Sequence, residues 1–312
     1  MGRYQKQALV LGKEAQAKLQ NSLVAIVGLG ALGTVSANLL CRAGVGHLVL
    51  VDRDLVELDN LQRQVLFDEG DISKPKAIRV AEKLRKINSE IKIESYFENL
   101  DQDTIDLLDT DLVLDCTDNL ETRFLINDYC KKNKKPWIFA SAIKQAGFVY
   151  VIAPKKPCFR CIFKEASLET CETTGVLNAI TMQVGAIQSN EAIKLLVDAE
   201  VEQDLLFINL TKNKIEKIKV KKNKDCLTCN GVFNYLTAGK KDITKFCGSG
   251  TFLIKGSFDF NEVKARLKKN FNIKESEGVF YFSNLTVFKD KVLIKAKTEK
   301  EARSLYSKYI GN

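Results

Sequence analysis

The chain of 312 residues is 45% hydrophobic and 28% charged, with 18 glycines and only 4 prolines; this composition excludes a disordered or low-complexity protein and leaves room for one large and one small domain. A single histidine, His47, excludes metal centres and proton relays built on two or more imidazoles, while nine cysteines without the spacing of a small secreted scaffold point to a cytosolic thiol or metal protein. The net charge of +9 is unevenly placed: residues 1–210 carry 25 basic and 29 acidic side chains, whereas 211–312 carry 23 against 10.

The stretch Met1–Lys6 is charged with no apolar core behind it and lacks a myristoylation pattern, so a cytoplasmic protein without export or lipid signal is expected. Leu23 to Cys41 is free of charge, but Gly28, Gly30 and Gly33 divide it into a strand-like half and a helix-like half, which predicts two buried elements and no membrane span. With His47–Asp52 reading as a second buried strand, the opening is a βαβ unit, and a parallel sheet with helices on both faces follows from it. The apolar spacing of Ala77, Ile78, Ala81, Leu84 and Ile87 predicts a helix over 76–88. Strands are expected over 91–96, 111–116, 137–140 and 147–152, with helices over 120–132 and 179–198. Lysine-rich sequence from 221 to 241 marks a boundary, placing one domain over 1–240 and a small basic α+β domain over 246–312.

Gly28-Leu29-Gly30-Ala31-Leu32-Gly33 follows a strand and opens a helix, the context in which glycines let phosphate oxygens approach free backbone N–H groups. Asp52 ends the next strand, where a carboxylate can accept bonds from ribose hydroxyls. The polar loop that follows holds Asn60, Arg63 and Gln64, and Lys76 opens the next helix; together these suit charge neutralisation on a departing pyrophosphate better than docking of an intact dinucleotide. Asp118, on the loop after a buried strand, is placed as a Mg²⁺ ligand. Read singly, Arg63 is a surface charge and Asp118 a cap for the helix at Leu120.

Cys158-x-x-Cys161 and Cys226-x-x-Cys229 are paired knuckles, and four thiolates make a closed, structural Zn²⁺ site with no open position for water. Cys41, Cys116 and Cys130 fall in apolar contexts and read as core residues; Cys247 has no assignment.

The sequence resembles the ThiF/MoeB/HesA family, relatives of ubiquitin-activating enzymes. The resemblance spans residues 3–230 and is carried by RYQKQ at 3–7, GLGALG at 28–33, AGVGHLVLVDRD at 43–54, NLQRQ at 60–64, Pro75-Lys76, DCTDN at 115–119, CFRC at 158–161 and GVLNAITMQVGAIQSNEAIKLL at 175–196. It implies a Rossmann-like adenylation domain with a mainly parallel sheet, a structural zinc site and an added small α+β domain. It further implies an adenylyltransferase: the C-terminal glycine of a small ubiquitin-like sulfur-carrier protein ending in Gly-Gly attacks the α-phosphate of ATP, giving an acyl-adenylate and pyrophosphate for thiamine, molybdopterin or tRNA thiolation.

By the same resemblance Asp52 holds the ribose, Arg63 and Lys76 contact phosphates, and Asp118 serves Mg²⁺. Lys6 stands where the family usually has an arginine supplied to the neighbouring subunit's nucleotide, which implies a homodimer and keeps the charge without the bidentate fork. Cys171, in the polar loop 168–175, stands where some members form a covalent adduct with the carrier. The Cys-containing loop of a fused sulfurtransferase is missing, so a separate sulfur donor is expected. Three other readings remain: activation for protein conjugation through a cysteine thioester; a nucleotide-dependent tRNA-modifying enzyme using the basic C-terminal region on RNA; and a dehydrogenase, disfavoured by NLQRQ and Asp118.

Overall fold

The structure, a computed structural model, describes residues 2–163, 174–237, 243–245, 250–276 and 278–311. Two compact units divide the chain, residues 1–238 and 239–312.

Eight strands form the sheet of the first unit: β1 (Leu23–Val27), β2 (His47–Val51), β3 (Lys92–Tyr96), β4 (Leu112–Asp115), β5 (Trp137–Ile143), β6 (Ala146–Ile152), β7 (Leu205–Asn209) and β8 (Lys214–Ile218). Their order is β3-β2-β1-β4-β5-β6-β7-β8. The first five are parallel, as the βαβ opening predicts, and the last three run antiparallel as a meander. Strand order reverses between β1 and β4, where Val27 pairs with Asp115, so the loops leaving these two strands diverge and open a crevice at their carboxyl ends.

Alternation along each strand splits the core into two layers. Val24, Ile26, Leu48, Leu50, Leu112 and Leu114 face one side, with α3 (Gly33–Ala43), α4 (Lys76–Ile87) and a 19-residue helix, α7 (Asn178–Leu196), packed over the same cluster. Ala25, Val27, Val49, Val51, Val113 and Phe139 face the other, under α5 (Leu120–Lys132) and the short α6 (Phe159–Ile162). α3 stops at Gly44, whose left-handed backbone (φ +82°) closes the helix.

Sequence reasoning missed α1 (Gln5–Leu11) and α2 (Lys13–Gln20), which are pinned to the end of α3 by Gln7 and Gln16, both donating to the Ala43 carbonyl at 2.7 and 3.1 Å. It also missed β7 and β8. Every residue of β8 is exposed, so this edge strand has no buried face to impose a legible alternation. Cys41, Cys116 and Cys130 are core residues as expected, and burial raises each thiol's pKa, that of Cys41 to about 11. His47 is structural: its Nε2 lies 3.2 Å from Oε1 of Glu94 on the neighbouring strand.

The second unit has a six-stranded antiparallel sheet, β9 (Ile243–Lys245), β10 (Thr251–Lys255), β11 (Lys274–Ser276), β12 (Val279–Phe282), β13 (Leu285–Val287) and β14 (Lys291–Lys295), in the order β11-β12-β13-β14-β10-β9. After α8 (Asn234–Thr237) in the first unit, the helices α9 (Phe260–Lys268) and α10 (Glu299–Tyr309) share its core of Phe252, Phe280, Phe282, Val292 and Ile294. Among the described residues no helix is long and apolar enough to cross a membrane.

Candidate active site and metal centre

The glycine loop leaves β1 at the crevice. Gly28 has φ +86°, and a Cβ there would lie 2.8 Å from the Cys116 carbonyl oxygen; a Cβ on Gly33 would lie 1.9 Å from the Gly28 carbonyl oxygen. Both positions therefore require glycine for the loop to close against β4 and turn into α3. At Gly30 a Cβ would meet only Nε2 of Gln64, at 3.7 Å, so packing leaves that position free and its missing side chain is room for a ligand. α3 starts without a side-chain cap and without an acidic residue in its first turn, an arrangement that favours an anion at the helix start.

Asp52, 7% exposed, grips this loop from the end of β2: Oδ2 accepts the Leu29 N–H at 2.5 Å and Oδ1 accepts the Asp54 N–H at 2.7 Å. Burial, helped by the charge of Asp54, pushes its pKa up to about 6 against the pull of Lys76 and the two N–H groups. Lys76 is buried at the start of α4, with Nζ 3.4 Å from Oδ2 of Asp54. Burial pulls its ammonium down, but Asp54, Asp52 and Asp118 outweigh that, and its pKa ends above the ordinary lysine value. The cation is thus held charged among three carboxylates, beside the glycine loop that Asp52 grips.

Gln64 is buried, and its Oε1 has no hydrogen-bond partner among the described residues. Asn60 is spent locally: Oδ1 accepts the Glu57 N–H at 3.2 Å in a capping box while Nδ2 donates to Asp59. Arg63, half-buried, donates from Nη1 to the Asp59 carbonyl at 2.7 Å. Asp118 is exposed on the turn after β4, with its carboxylate open to the crevice side of the strand end. Lys6 is exposed on α1 and makes no bond to these residues among those described. Cys171 and Cys247 lie outside the described residues.

Behind the turn sit residues that sequence reasoning did not single out. Asp115, fully buried, accepts the Thr117 N–H and hydroxyl on Oδ1 at 3.0 and 2.7 Å and pairs through Oδ2 with Nε of Arg123 at 3.3 Å. Burial pushes the Asp115 carboxyl up, and Arg123 opposes the shift. Gln188 of α7 ties the layers together: Nε2 donates to the carbonyls of Asp115 and Ile138 at 2.9 and 3.1 Å, and Oε1 accepts from Ser36 at 3.0 Å. Asp115 ends β4, and Arg123 and Gln188 are buried polar residues on α5 and α7; the sequence carries no signal that pairs them with their partners.

The two cysteine pairs meet. Sγ of Cys158 lies 3.5 Å from Cys226 and 3.9 Å from Cys161, and Cys161 lies 3.6 Å from Cys229; all four sulfurs fall within 4.8 Å of one another. Zinc–thiolate bonds of ~2.3 Å in a tetrahedron set the sulfurs ~3.8 Å apart, so the cluster fits Zn²⁺ with no position left for a reacting ligand. α5 backs the centre: Oδ1 of Asn127 accepts the Phe159 N–H at 2.9 Å, and Nζ of Lys131 donates to the carbonyls of Pro154 and Lys156.

Comparison with known proteins places this geometry among relatives. The chain is 31% identical to the sulfur carrier protein ThiS adenylyltransferase of Bacillus subtilis, with 99% of each chain covered. It is 36% identical to the SAMP-activating enzyme E1 of Haloferax volcanii, over 73% of this chain and 88% of that one. The fold matches that of Escherichia coli MccB, solved with ATP, with a TM-score of 0.66 over 73% of each chain at 24% identity. Since residues 4–228 also match the ThiF family, a span that takes in the whole sheet, the crevice and three of the four clustered cysteines, the chain belongs to the ThiF family.

Proposed function

We propose that this protein is an adenylyltransferase that activates the C-terminal glycine of a small ubiquitin-like sulfur-carrier protein. The terminal carboxylate oxygen attacks the α-phosphorus of ATP, the bond to the β-phosphate oxygen breaks, and an acyl-adenylate and pyrophosphate leave. The observation that carries this reading is the buried Lys76 ammonium, kept charged by Asp52, Asp54 and Asp118 beside a glycine loop at the strand-order reversal. A fixed cation there stabilises the negative charge that develops on the leaving pyrophosphate. The identity with the ThiS adenylyltransferase and the SAMP-activating enzyme supports the same chemistry.

In this reading the N–H groups at the start of α3 receive phosphate oxygens over Gly30, and Asp52 uses its remaining lone pairs on the ribose hydroxyls. Arg63 and Lys76 neutralise the triphosphate, and Gln64 offers its unpaired Oε1 to the nucleotide. Asn60 supports the turn that presents Arg63. Mg²⁺ held by Asp118 supplies further neutralisation of phosphate charge. Zn²⁺ on Cys158, Cys161, Cys226 and Cys229 is structural. Lys6 reaches the nucleotide of a second copy in a homodimer, and the thiol of Cys171 takes the carrier's acyl group from the adenylate, releasing AMP. The protein acts in the cytoplasm with a separate sulfur donor, and residues 246–312 form a basic accessory domain.

Pyrophosphate exchange into ATP, measured with each small Gly-Gly-ending protein of the source genome, tests the reading. Exchange with one such carrier, lost when its terminal glycine is removed, is the expected result; exchange with none of them, in a chain that binds ATP, overturns it.

A further inference from the structure

We infer that Arg123 is a positioning residue for nucleotide binding: with Asp115 it fixes the 115–119 turn so that Asp118 holds its metal beside Lys76. The inference rests on the reading of Asp118 as the Mg²⁺ ligand of an ATP site.

Arg123 is 6% exposed, one turn into α5, and Asp115 is fully buried; the bonds of both side chains are made within the protein, to each other and to Thr117. The polar contacts found for the guanidinium all land on one short segment. Nε faces Oδ2 of Asp115 at 3.3 Å, and Nη2 donates to the Thr117 carbonyl. The cation also lies over the Phe139 ring, 5.1 Å from its centroid, which holds the plane of the fork. Asp115 closes the loop from the other side by taking both the N–H and the hydroxyl of Thr117, and Gln188 holds its carbonyl. Asn119 then caps α5 by accepting the Thr122 N–H at 2.9 Å. Asp118 is the exposed residue left between these two anchored neighbours, Thr117 and Asn119.

A buried ion pair is a poor device for stability, because desolvation offsets its attraction and an apolar pair of the same volume does as well. What it supplies here is direction and charge balance. The guanidinium reaches two points of the turn from separate nitrogens of one rigid plane, whereas a lysine would have to reach both from a single, freely rotating ammonium. It also cancels the Asp115 charge, so that the net negative charge offered to a cation at this turn is that of Asp118.

The test is ATP binding by calorimetry with and without Mg²⁺, on the full chain, for the unaltered protein, Arg123→Lys and Asp115→Asn. Thermal melting and zinc content report folding independently. Mg²⁺ is expected to tighten ATP binding by the unaltered chain, and each variant to lose about ten-fold of that gain while metal-free ATP affinity stays within about three-fold. A merely structural role would weaken binding equally with and without metal. The inference is overturned by that equal loss, by a full metal gain in a folded variant, or by the absence of any metal gain in the unaltered chain. Failure of pyrophosphate exchange with every carrier, with the metal gain intact and variant-sensitive, would remove the proposed activity and leave this inference standing. Asp115→Asn keeps an acceptor for Thr117, so it remains informative where Arg123→Lys fails to fold.

Discussion

Thr228 donates a 2.6 Å hydrogen bond from Oγ1 to Oδ1 of Asp128, whose second oxygen accepts the Tyr235 N–H at 3.1 Å. The bond joins the second cysteine pair to α5, which also supports the first pair through Asn127 and Lys131. With zinc bound as proposed, two forces hold the pairs together, the metal and the buried Asp128, and they are separable. Thr228→Val should keep one zinc ion per chain yet lose about 1–3 kcal/mol of stability, since a buried carboxylate loses a partner. Cys226→Ser should lose the zinc and melt at markedly lower temperature. Metal content by chromogenic chelator and melting by circular dichroism check both, and a zinc-free chain that melts like the unaltered protein contradicts the assignment.

Asp52 sets a pH limit. Its folded pKa of about 6 lies above the ordinary carboxylate value, so acidification through pH 6 protonates it while the unfolded chain stays ionised. The contribution of this one group to stability therefore rises as pH falls from about 6 toward ~4, where the unfolded carboxyl also takes its proton. Nucleotide affinity should move the opposite way, because the protonated group loses acceptor capacity for Leu29, Asp54 and the ribose. ATP affinity should fall below pH 6, and Asp54→Asn should shift that fall to lower pH, since the Asp54 charge raises the Asp52 pKa. A Kd independent of pH between 5 and 7 would count against Asp52 as a nucleotide contact.

The glycine loop was legible because its chemistry is local: three glycines between a β-branched run and an amphipathic stretch allow few other structures, and the backbone collisions at Gly28 and Gly33 show why. The two Cys-x-x-Cys pairs were legible because ligand spacing is itself local, although the closure of 158–161 onto 226–229 depends on α5. Asn60 shows the opposite case. Its amide reads as a phosphate donor in sequence, and the structure adds what the sequence did not announce: its Oδ1 accepts the Glu57 N–H in a capping box and its Nδ2 donates to Asp59. Arg123 and Gln188 were invisible because their partners, Asp115 and Ser36, are set by packing of α5 and α7 on opposite faces of the sheet, which no spacing along the chain encodes. The β8 strand escaped because exposure on both faces leaves lysines and isoleucines free of any pattern.

Glycines in the same motif should differ in kind when substituted. Gly33→Ala forces a Cβ onto the Gly28 carbonyl at 1.9 Å, so either the loop or α3 must move, and a cost of about 1–3 kcal/mol typical of overpacking is expected together with lost ATP binding. Gly30→Ala meets only the far end of Gln64, so the melting temperature should stay within about 2 °C while the methyl group crowds the phosphate path and weakens ATP about ten-fold. Melting curves and calorimetry on the two variants separate fold from site. Equal destabilisation by both would show that Gly30 serves packing alone.

Lys6 is best tested through subunit mixing. α1 is pinned at its N-terminal end: Arg3 donates to the Ile87 carbonyl at 3.1 Å, Asn88 donates to the Tyr4 hydroxyl at 2.8 Å, and Gln7 donates to the Ala43 carbonyl at 2.7 Å. Yet Leu9 and Val10 stand 75% and 85% exposed on it. Two exposed aliphatic side chains on a fixed helix beside Lys6 suit a surface covered by a second copy, with Lys6 carried to the neighbour's nucleotide. If Lys6 acts across the interface, Lys6→Ala and Lys76→Ala homodimers are both inactive, but a heterodimer has one complete site, in the subunit that keeps Lys76 and borrows Lys6. Random exchange of equal amounts yields half heterodimers with one of two sites complete, so about a quarter of full pyrophosphate exchange should return on mixing. If Lys6 acts within its own chain, every heterodimer site lacks one lysine and mixing restores nothing. If this face of α1 forms the interface, Leu9→Glu with Val10→Glu should elute as a monomer on size exclusion and abolish the recovery on mixing.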